Sequence, residues 1–214
     1  MLVDHFPLVG LRLRTPRLEL HLPNPEELAE LADVAIAGIH PPDTMPFLTP
    51  WALEPPAEIA RHVLQSQWRC LSAWTPQHWN LKLTVFHEGA VIGQQEIGAI
   101  DLAIRREVHT GSWLGEAHQG KGFGTETRAA VLHLAFAGLG VDEAVSSALA
   151  DNAASLAVSR KLGYTVDGIE RQVIDGKLAI DTRQRLTREA WEKHRTVDVT
   201  IDGLEPCRAL FGLA

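Results

Sequence analysis

The stretch GSWLGEAHQGKGFG, residues 111–124, decides how this chain folds. Its first residues, GSWL, have the pattern in which a β-strand ends, and residues 119–124 form a glycine-rich turn. From Thr125 onward the spacing of apolar residues predicts an amphipathic helix that ends at Gly138 or Gly140. A strand, a tight turn without carboxylates and a helix start together predict a phosphate site, because the first helical turn has unpaired N–H groups and partial positive charge.

The spacing of the glycines excludes two common phosphate-binding loops. A nucleoside-triphosphatase loop requires Gly-Lys followed by Ser or Thr, whereas Lys121 is followed by Gly122. A dinucleotide loop requires Gly-x-Gly-x-x-Gly inside a βαβ unit, and neither the spacing nor the preceding elements fit. The pattern that fits is Gln-x-x-Gly-x-Gly, formed by Gln119, Gly122 and Gly124, which resembles the coenzyme A site of the Gcn5-related N-acetyltransferase (GNAT) superfamily. The alternative interpretation is an ordinary glycine-rich turn between a strand and a helix.

Two further stretches resemble the same superfamily. Residues 152–155 have the pattern Asn-x-x-Ser and precede a helix that ends in Lys-Leu-Gly-Tyr, residues 161–164. Residues 14–20, RTPRLEL, look like the opening strand of the branch that includes the ribosomal-protein N-terminal acetyltransferases. The three matches follow the superfamily's order and cover roughly residues 12–186. The resemblance implies an α/β fold with a mixed, mostly antiparallel central sheet flanked by helices, in one N-acyltransferase domain over residues 1–195.

The composition is typical of a globular domain. The chain has 214 residues, of which 45% are hydrophobic and 22% are charged. Its net charge of −7 argues against a nucleic-acid-binding protein, which normally has a basic surface. No apolar run is long enough for a membrane span, and Cys70 and Cys207 make no disulfide framework, so we expect a cytoplasmic protein. Residues 196–214 form an extension with an apolar end, which we expect to dock on the domain or on a second subunit of a homo-oligomer.

Hydrophobic periodicity and turn residues predict the other elements. Asn24 and Pro25 have the pattern of a capped helix start, and Asp175-Gly176 has that of a hairpin turn. The six prolines of residues 40–56 forbid regular structure there. The predicted strands cover residues 11–22, 79–86, 90–104, 107–114, 141–149, 165–174 and 178–186, and the first of them breaks at Pro16. The other predicted helices cover residues 57–74, residues 155–162 and a short segment after Thr187. Trp68 belongs to the apolar stripe of the helix predicted over residues 57–74.

The resemblance implies that the chain binds acyl-CoA as a co-substrate and needs no metal. Backbone N–H groups of the turn would hold the pyrophosphate, and the pantetheine arm would pair with the strand edge at residues 113–115 like an added strand. Lys121 is a solvated or phosphate-facing charge, and Arg160 reaches the nucleotide phosphates. The candidate cofactor-binding residues are Trp113, Leu114, Gly115, Gln119, Gly120, Lys121, Gly122, Phe123, Gly124, Thr125, Asn152, Ser155 and Arg160.

Acyl transfer from a thioester to an amine requires an oxyanion donor, an acid for the departing sulfur and a base for the amine. A backbone N–H near Trp113 or Leu114 would bind the thioester oxygen. Ser155 is the candidate catalytic acid by resemblance to family members, although Ser is also a preferred helix N-cap. Asn152, the second candidate catalytic residue, would bond the pantetheine or the acceptor, or else form an Asx turn. The base stays open between water and three side chains: Glu96, Asp101 and His109.

The proline-rich loop of residues 40–56 contains large apolar side chains. In related acyltransferases the loop at this position helps to form the acceptor pocket, so the resemblance makes Phe47 and Trp51 the candidate substrate-binding residues. The alternative is that these side chains only cap the core. His40 is a weaker candidate for the base, since a lone histidine in a loop is more often structural.

Three functions are compatible with the sequence. The favoured one is an N-acyltransferase that moves an acyl group, acetyl by default, from CoA to a primary amine. Members similar in residues 45–47 and 111–113 use a larger donor, which makes succinyl-CoA the first alternative. The second alternative is a non-catalytic CoA-binding module in which Trp51 and Phe47 fill the acceptor pocket. The acceptor can be a protein N-terminus, a lysine or a small amine.

Overall fold

A nine-stranded sheet forms the centre of the protein in a computed structural model that describes residues 1–213. The strands lie in the order β7-β8-β6-β5-β4-β3-β2-β1-β9. Their bounds are β1 Arg12–Arg14, β2 Leu18–His21, β3 His78–His87, β4 Ala90–Ile100, β5 Glu107–Leu114, β6 Glu143–Leu149, β7 Thr165–Ile174, β8 Lys177–Thr187 and β9 Thr200–Asp202. The α-helices are α1 Leu2–His5, α2 Pro25–Ala37, α3 Pro56–Ser72, α4 Leu102–Arg105, α5 Phe123–His133, α6 Ala153–Lys161 and α7 Arg188–His194.

The sheet is mixed and mostly antiparallel, which confirms the predicted fold class. Within residues 1–213, β5 and β6 are the one parallel pair of neighbours, and every other neighbouring pair is antiparallel. A parallel pair requires a crossover connection, and α5 supplies it between β5 and β6. Helices therefore flank the sheet, with α2 and α3 on one face and α5 on the other.

Local capping and turn chemistry formed as the sequence predicted. The side chain of Asn24 accepts a hydrogen bond from the Glu27 N–H, and the Glu27 carboxylate accepts one from the Asn24 N–H, which completes a capping box at the start of α2. The β7–β8 hairpin turns at Asp175 and Gly176, which have φ angles of +50° and +70°. Two successive left-handed residues are what a tight hairpin turn requires.

Three element predictions were wrong in detail. The strand predicted to run to residue 104 ends at Ile100, because Asp101 adopts a left-handed conformation and starts the short helix α4. The helix predicted from Thr125 begins two residues earlier, since left-handed Gly122 turns the chain into α5 directly, and a π-helical turn over residues 134–139 extends it. Trp68 is 56% exposed rather than buried.

In α3 the side chain of Gln67 is buried against the sheet, and that of the neighbouring Trp68 is exposed. Gln67 is 1% exposed, and its amide donates to the Lys82 carbonyl oxygen at 3.2 Å. A hydrogen-bonded amide is stable against the sheet, so the helix turns Trp68 outward. Within residues 1–213, no helix has both the length and the apolar content needed to cross a membrane.

Residues 196–213 pack against the rest of the same chain. β9 pairs with β1, and Gly203 after it approaches the backbone of Gly10 closely with a φ of +74°. The Phe211 ring is fully buried with its centroid 4.8 Å from that of Trp79. Trp74 donates its indole N–H to the Leu210 carbonyl oxygen at 2.8 Å. The apolar end of the chain thus contributes to the core on the α5 face of the sheet.

Candidate active site

A gap opens in the sheet between β5 and β6. The two strands pair over only three positions, from Glu107 opposite Glu143 to His109 opposite Val145. Beyond that point β5 continues to Leu114 with β4 alone beside it. The Thr110 carbonyl oxygen still accepts a hydrogen bond from the Ser146 hydroxyl of β6 at 3.2 Å. Residues 111–114 of β5 therefore have a free edge toward β6, and backbone groups on such an edge pair readily with an added extended chain.

The glycine turn lies where β5 ends and α5 begins. Gly120 and Gly122 have φ angles of +74° and +84°, and Gly122 is the N-cap of α5. In that left-handed region glycine avoids the steric cost that other residues carry. The N–H groups of Phe123 and Gly124 have no acceptor within the helix, whereas those of Thr125 and Glu126 donate to the Gly122 carbonyl oxygen at 3.1 and 3.2 Å. The end of the gap therefore has two free donors of the kind that a phosphate needs.

The side chains of the turn support its shape more than they extend into the gap. The Gln119 amide donates to the Ile39 carbonyl oxygen at 2.6 Å and to the Leu114 carbonyl oxygen at 2.9 Å. Phe123 is 4% exposed, and Lys121 donates to the Ala117 carbonyl oxygen at 2.8 Å. Of these predicted cofactor-binding residues, Phe123 is thus in position to act through its backbone N–H, whereas the Gln119 N–H already donates to the Glu116 carbonyl oxygen at 3.2 Å.

An ion pair between a buried carboxylate and a 43% exposed arginine braces the turn from the β1–β2 connection. The Glu126 carboxylate, on the first turn of α5, is 2.6 Å from the Thr15 hydroxyl and 2.7 Å from Arg17 Nε. The Arg17 guanidinium also donates to the Lys121 carbonyl oxygen at 3.2 Å and lies 4.6 Å from the Phe123 ring centroid. The sequence motif RTPRLEL contains both Thr15 and Arg17, but its spacing gave no sign of this contact.

The start of α6 lies beside the end of β6 on the other side of the gap. Asn152 is the N-cap, and its side-chain oxygen accepts a hydrogen bond from the Ser155 N–H at 3.0 Å. Ser155 is therefore not the cap, and no hydrogen bond joins its half-buried hydroxyl to another residue among 1–213. Arg160 is exposed at the far end of the same helix. Tyr164 is buried, with its hydroxyl 3.4 Å from that of Thr110.

Two of the three candidate bases lie together on the α2–α3 face. Cross-strand pairing places Lys82, Glu96 and Gly111 in one row of the sheet, and His109 in the next. Glu96 Oε1 is 3.8 Å from His109 Nε2, and Glu96 Oε2 is 3.5 Å from Lys82 Nζ. Asp101 lies apart at the start of α4, exposed.

The charges around Glu96 favour its carboxylate. Burial by itself raises the pKa of Glu96, but the nearby His109 and the positive charge of Lys82 outweigh it, and the net pKa is lowered. Lys82 is held in turn by the Ser66 hydroxyl at 2.6 Å. Beside this group is open space, because a Cβ built on Gly111 meets no atom within 4 Å.

An aromatic cluster borders the same space. The Trp51 ring centroid lies 5.3 Å from that of Phe47, 6.0 Å from that of Trp113 and 4.6 Å from that of His62, on which the indole stacks. Of the two predicted acceptor residues, Trp51 thus contacts Trp113 near the end of β5, and Phe47 packs against Trp51. Trp51 and His62 also line an open depression of about 650 Å³ that contains Glu54, Glu58 and Arg61. His40 lies behind Phe47, edge-on to its ring.

One buried charge near the gap was missed by the sequence reasoning. Arg128 on α5 is 4% exposed and contacts Ser112 of β5 and Ser159 of α6. The signal was its position, three residues before Val131 and four before Leu132 on the buried stripe of the helix. Within residues 1–213, no group of three His, Cys, Asp or Glu side chains is placed to hold a metal ion.

Comparison with known families agrees with this geometry. The sequence profile of the acetyltransferase (GNAT) domain matches residues 17–165, more than half of the chain. The chain belongs to the GNAT acetyltransferase family. The match begins at Arg17, directly before β2, and spans the glycine turn and the start of α6.

Solved GNAT structures share the fold. The RimL ribosomal-protein α-N-acetyltransferase in complex with coenzyme A is 19% identical, with a TM-score of 0.62 over 82% of this chain and 97% of that one. RimJ of Mycobacterium smegmatis in complex with CoA-disulfide is 17% identical, with a TM-score of 0.65 over 86% and 90%. The microcin C7 self-immunity acetyltransferase MccE, in complex with acetyl-CoA and AMP, is 17% identical, with a TM-score of 0.62 over 80% and 93%.

Proposed function

We propose that this GNAT protein is an acyl-CoA-dependent N-acyltransferase that acts on a primary amine by direct attack. The observation that carries the proposal is the gap between β5 and β6, which ends at the glycine turn and the start of α5. The free edge of β5 can pair with the amide-bearing pantetheine arm of an acyl-CoA. The unpaired N–H donors at the start of α5 can bind its pyrophosphate.

The donor and the acceptor reach the gap from opposite faces of the sheet. Ser112 faces α5, whereas Gly111 and Trp113 face α2 and α3, since side chains alternate along a strand. The pantetheine arm enters from the α5–α6 side with its thioester at the free edge of β5. The amine enters over Gly111, where the structure leaves space, with Trp51 and Phe47 as a wall.

The reaction follows from these positions. The amine nitrogen attacks the thioester carbon, the C–N bond forms and the C–S bond breaks. His109, oriented by Glu96, takes the proton that the amine loses, directly or through a water molecule. The backbone N–H of Trp113 or Leu114 stabilises the oxyanion, and the Ser155 hydroxyl gives a proton to the leaving thiolate.

The acyl group is acetyl by default, and succinyl is the alternative. The acceptor is a primary amine, and the similarity to RimL, a ribosomal-protein α-N-acetyltransferase, makes a protein N-terminus the first class of acceptor to test. A cytoplasmic location and a homo-oligomeric state stay predictions from the sequence.

The first experiment separates an enzyme from a CoA-binding module. Thermal shift is measured with CoA, acetyl-CoA and succinyl-CoA, because a ligand of the folded state raises the melting temperature. Thiol release is then measured with each thioester and a panel of peptides with free N-termini. We expect both stabilisation and amine-dependent thiol release. Stabilisation without release under any condition supports the binding module, and no stabilisation by any CoA species contradicts the proposal.

The variant Gly111→Leu tests the acceptor side alone. A leucine there fills the open space over Gly111 without backbone strain, since that glycine has no positive φ. We expect the amine-dependent rate to fall at least about tenfold, while the Kd for CoA stays unchanged. Val173→Leu, at a 77% exposed position of β7, serves as a control for added volume on a strand. An unchanged rate in Gly111→Leu contradicts this acceptor position.

A further inference from the structure

Asp181 on β8 is a buried carboxylate without a partner. It is 6% exposed, and no hydrogen bond or ion pair joins its side chain to another residue among 1–213. Glu126 is shielded to the same degree, but it accepts hydrogen bonds from Thr15 and Arg17. Burial of a charge is costly unless an opposite charge or hydrogen bonds compensate it, so the carboxylate of Asp181 does not stabilise the fold.

The neighbouring arginine on the same face of β8 does not compensate Asp181. Arg183 donates instead to β7, where it contacts the Glu170 carboxylate at 3.4 Å and the Asp167 carbonyl oxygen at 3.3 Å. Asp181 is not among the side chains whose polar atoms are sealed from solvent without a partner, so its carboxylate oxygens are still accessible. A ligand can therefore supply the cation that the chain does not.

Asp181 lies on the acceptor side of the gap between β5 and β6. It pairs with Leu149 at the end of β6, and side chains paired across strands lie on the same face of a sheet. The register of β5 and β6, continued by four residues past its last pair, makes Leu149 level with Trp113. Trp113 faces α2 and α3, so Asp181 faces the same side, across the gap from the contact between Trp51 and Trp113.

The distance across the gap decides which part of an acceptor would reach Asp181. Two strand spacings separate β8 from β5, because β6 lies between them. Neighbouring strands are about 4.8 Å apart, so Asp181 is about 10 Å or more from an amine over Gly111. One ammonium group cannot contact both the thioester and Asp181 at that separation. The distance matches an acceptor with a second cationic group several bonds away from the reacting nitrogen.

We propose that Asp181 selects an acceptor that carries a second positive charge, namely a peptide with arginine close to its free N-terminus. A guanidinium binds a carboxylate through two parallel hydrogen bonds, and both oxygens of Asp181 are free to accept them. The bound arginine would compensate a buried charge that the protein by itself leaves unpaired. The inference rests on the proposed N-acyltransferase activity and assigns its acceptor class.

The test compares matched peptides that have a free N-terminus and either arginine or citrulline as the second or third residue. Citrulline has nearly the shape of arginine without the charge, and neither side chain is a primary amine. Thiol release should show a kcat/KM about tenfold or more higher for the arginine peptides, chiefly through a lower KM. Asp181→Asn keeps the shape and loses the charge, so it should remove the preference. Asp33→Asn, at an exposed site of α2, should retain it.

The outcomes separate this inference from the proposed function. Equal kcat/KM of the natural chain for the two kinds of peptide overturns the inference and leaves the N-acyltransferase intact. A preference that persists in Asp181→Asn overturns it as well, and the absence of thiol release with every amine removes both.

Urea denaturation of Asp181→Asn gives a second readout. The variant should be at least as stable as the natural chain, because the substitution removes a buried charge and no partner. A marked loss of stability, or failure to fold, means that Asp181 serves the fold and overturns the inference.

Discussion

The Ser155 hydroxyl has no structural task that competes with catalysis. Asn152 caps α6, so the Ser155 side chain is available to a ligand at the gap. We expect Ser155→Ala to lower kcat about 10²-fold or more with little change in the Kd for CoA, because only the protonation of the thiolate is lost. Steady-state kinetics and calorimetry check this, and Ser147→Ala on the exposed side of β6 is the control. An unaltered kcat removes the role.

The lowered pKa of Glu96 gives a pH-dependent contribution to stability. Its carboxylate is favoured in the folded protein by His109 and Lys82, so the stabilisation is present above the ordinary pKa of 4.5 and is lost as the pH falls toward the lower folded value. Urea denaturation should find Glu96→Gln less stable than the natural chain at pH 7, with a smaller difference at pH 4. Glu30→Gln, at an exposed site of α2, should show no such change. A constant difference for Glu96→Gln contradicts the linkage.

For single residues, the sequence predicted which side chains belong to the site better than it predicted the role of each one. Asn152 and Ser155 were both helix-cap candidates, and only the geometry of α6 distinguishes them. Glu96 and His109 were two separate candidate bases, because the register between β4 and β5 that joins them depends on the whole sheet. Arg128 needed a helix and two serines from other elements before its contacts became apparent.

The element on which the site depends most is the first turn of α5. Glu126 there accepts hydrogen bonds from Thr15 and Arg17 and is 6% exposed. Glu126→Ala leaves these donors without a partner, so we expect a loss of about 2–4 kcal/mol of unfolding free energy. CoA affinity should fall too, because Arg17 no longer holds the turn.

Chemical denaturation and calorimetry check the Glu126→Ala prediction together. Glu189→Ala removes an exposed carboxylate that pairs with Lys193 on α7, and it should alter neither quantity. If Glu126→Ala weakens CoA binding without loss of stability, then the carboxylate acts on the ligand directly rather than as a brace. If Glu126→Ala alters neither the stability nor the CoA affinity, the result contradicts the proposal that Glu126 and Arg17 support the glycine turn.

Elements with local signals were predictable, and the contacts between distant elements were not. The capping box of α2 and the Asp175-Gly176 turn depend on neighbours in sequence, so their residues alone predict them. The gap between β5 and β6 depends on where a non-local pairing stops, and no residue pattern in either strand marks His109 as the last paired position. The left-handed turn at Asp101 was missed because aspartate is only one of several residues that tolerate it.

For the whole molecule, the C-terminal segment is part of the folding unit. Phe211 is fully buried against Trp79 and Trp74. Phe211→Ala leaves a cavity between these rings and should cost about 3–5 kcal/mol of unfolding free energy. Urea denaturation measures this, and Leu178→Ala, a 57% exposed residue of β8, should have little effect. A loss for Phe211→Ala as small as that of the control means that the segment is not part of the cooperative unit.

The apolar residues at the end of the chain predicted that this segment would be covered, but they did not predict which surface would cover it. Residues 197–214 have a second Asp-Gly turn and several large apolar side chains, which are compatible with docking on the same chain or on a neighbour. The answer depends on the position of β1, whose free edge accepts β9. Such an arrangement requires the complete sheet order, which the sequence alone does not provide.

The short overlap of β5 and β6 also divides the sheet into two leaves, β7-β8-β6 and the six strands from β5 to β9. Three paired positions are a narrow hinge, so small rotations between the leaves require few broken hydrogen bonds. In hydrogen–deuterium exchange, amide protons on the free edge of residues 111–114 should exchange quickly in the empty protein and slowly once an extended ligand lies between the leaves. Under the proposed function, a bound acyl-CoA would take the place of a missing strand and join the two leaves.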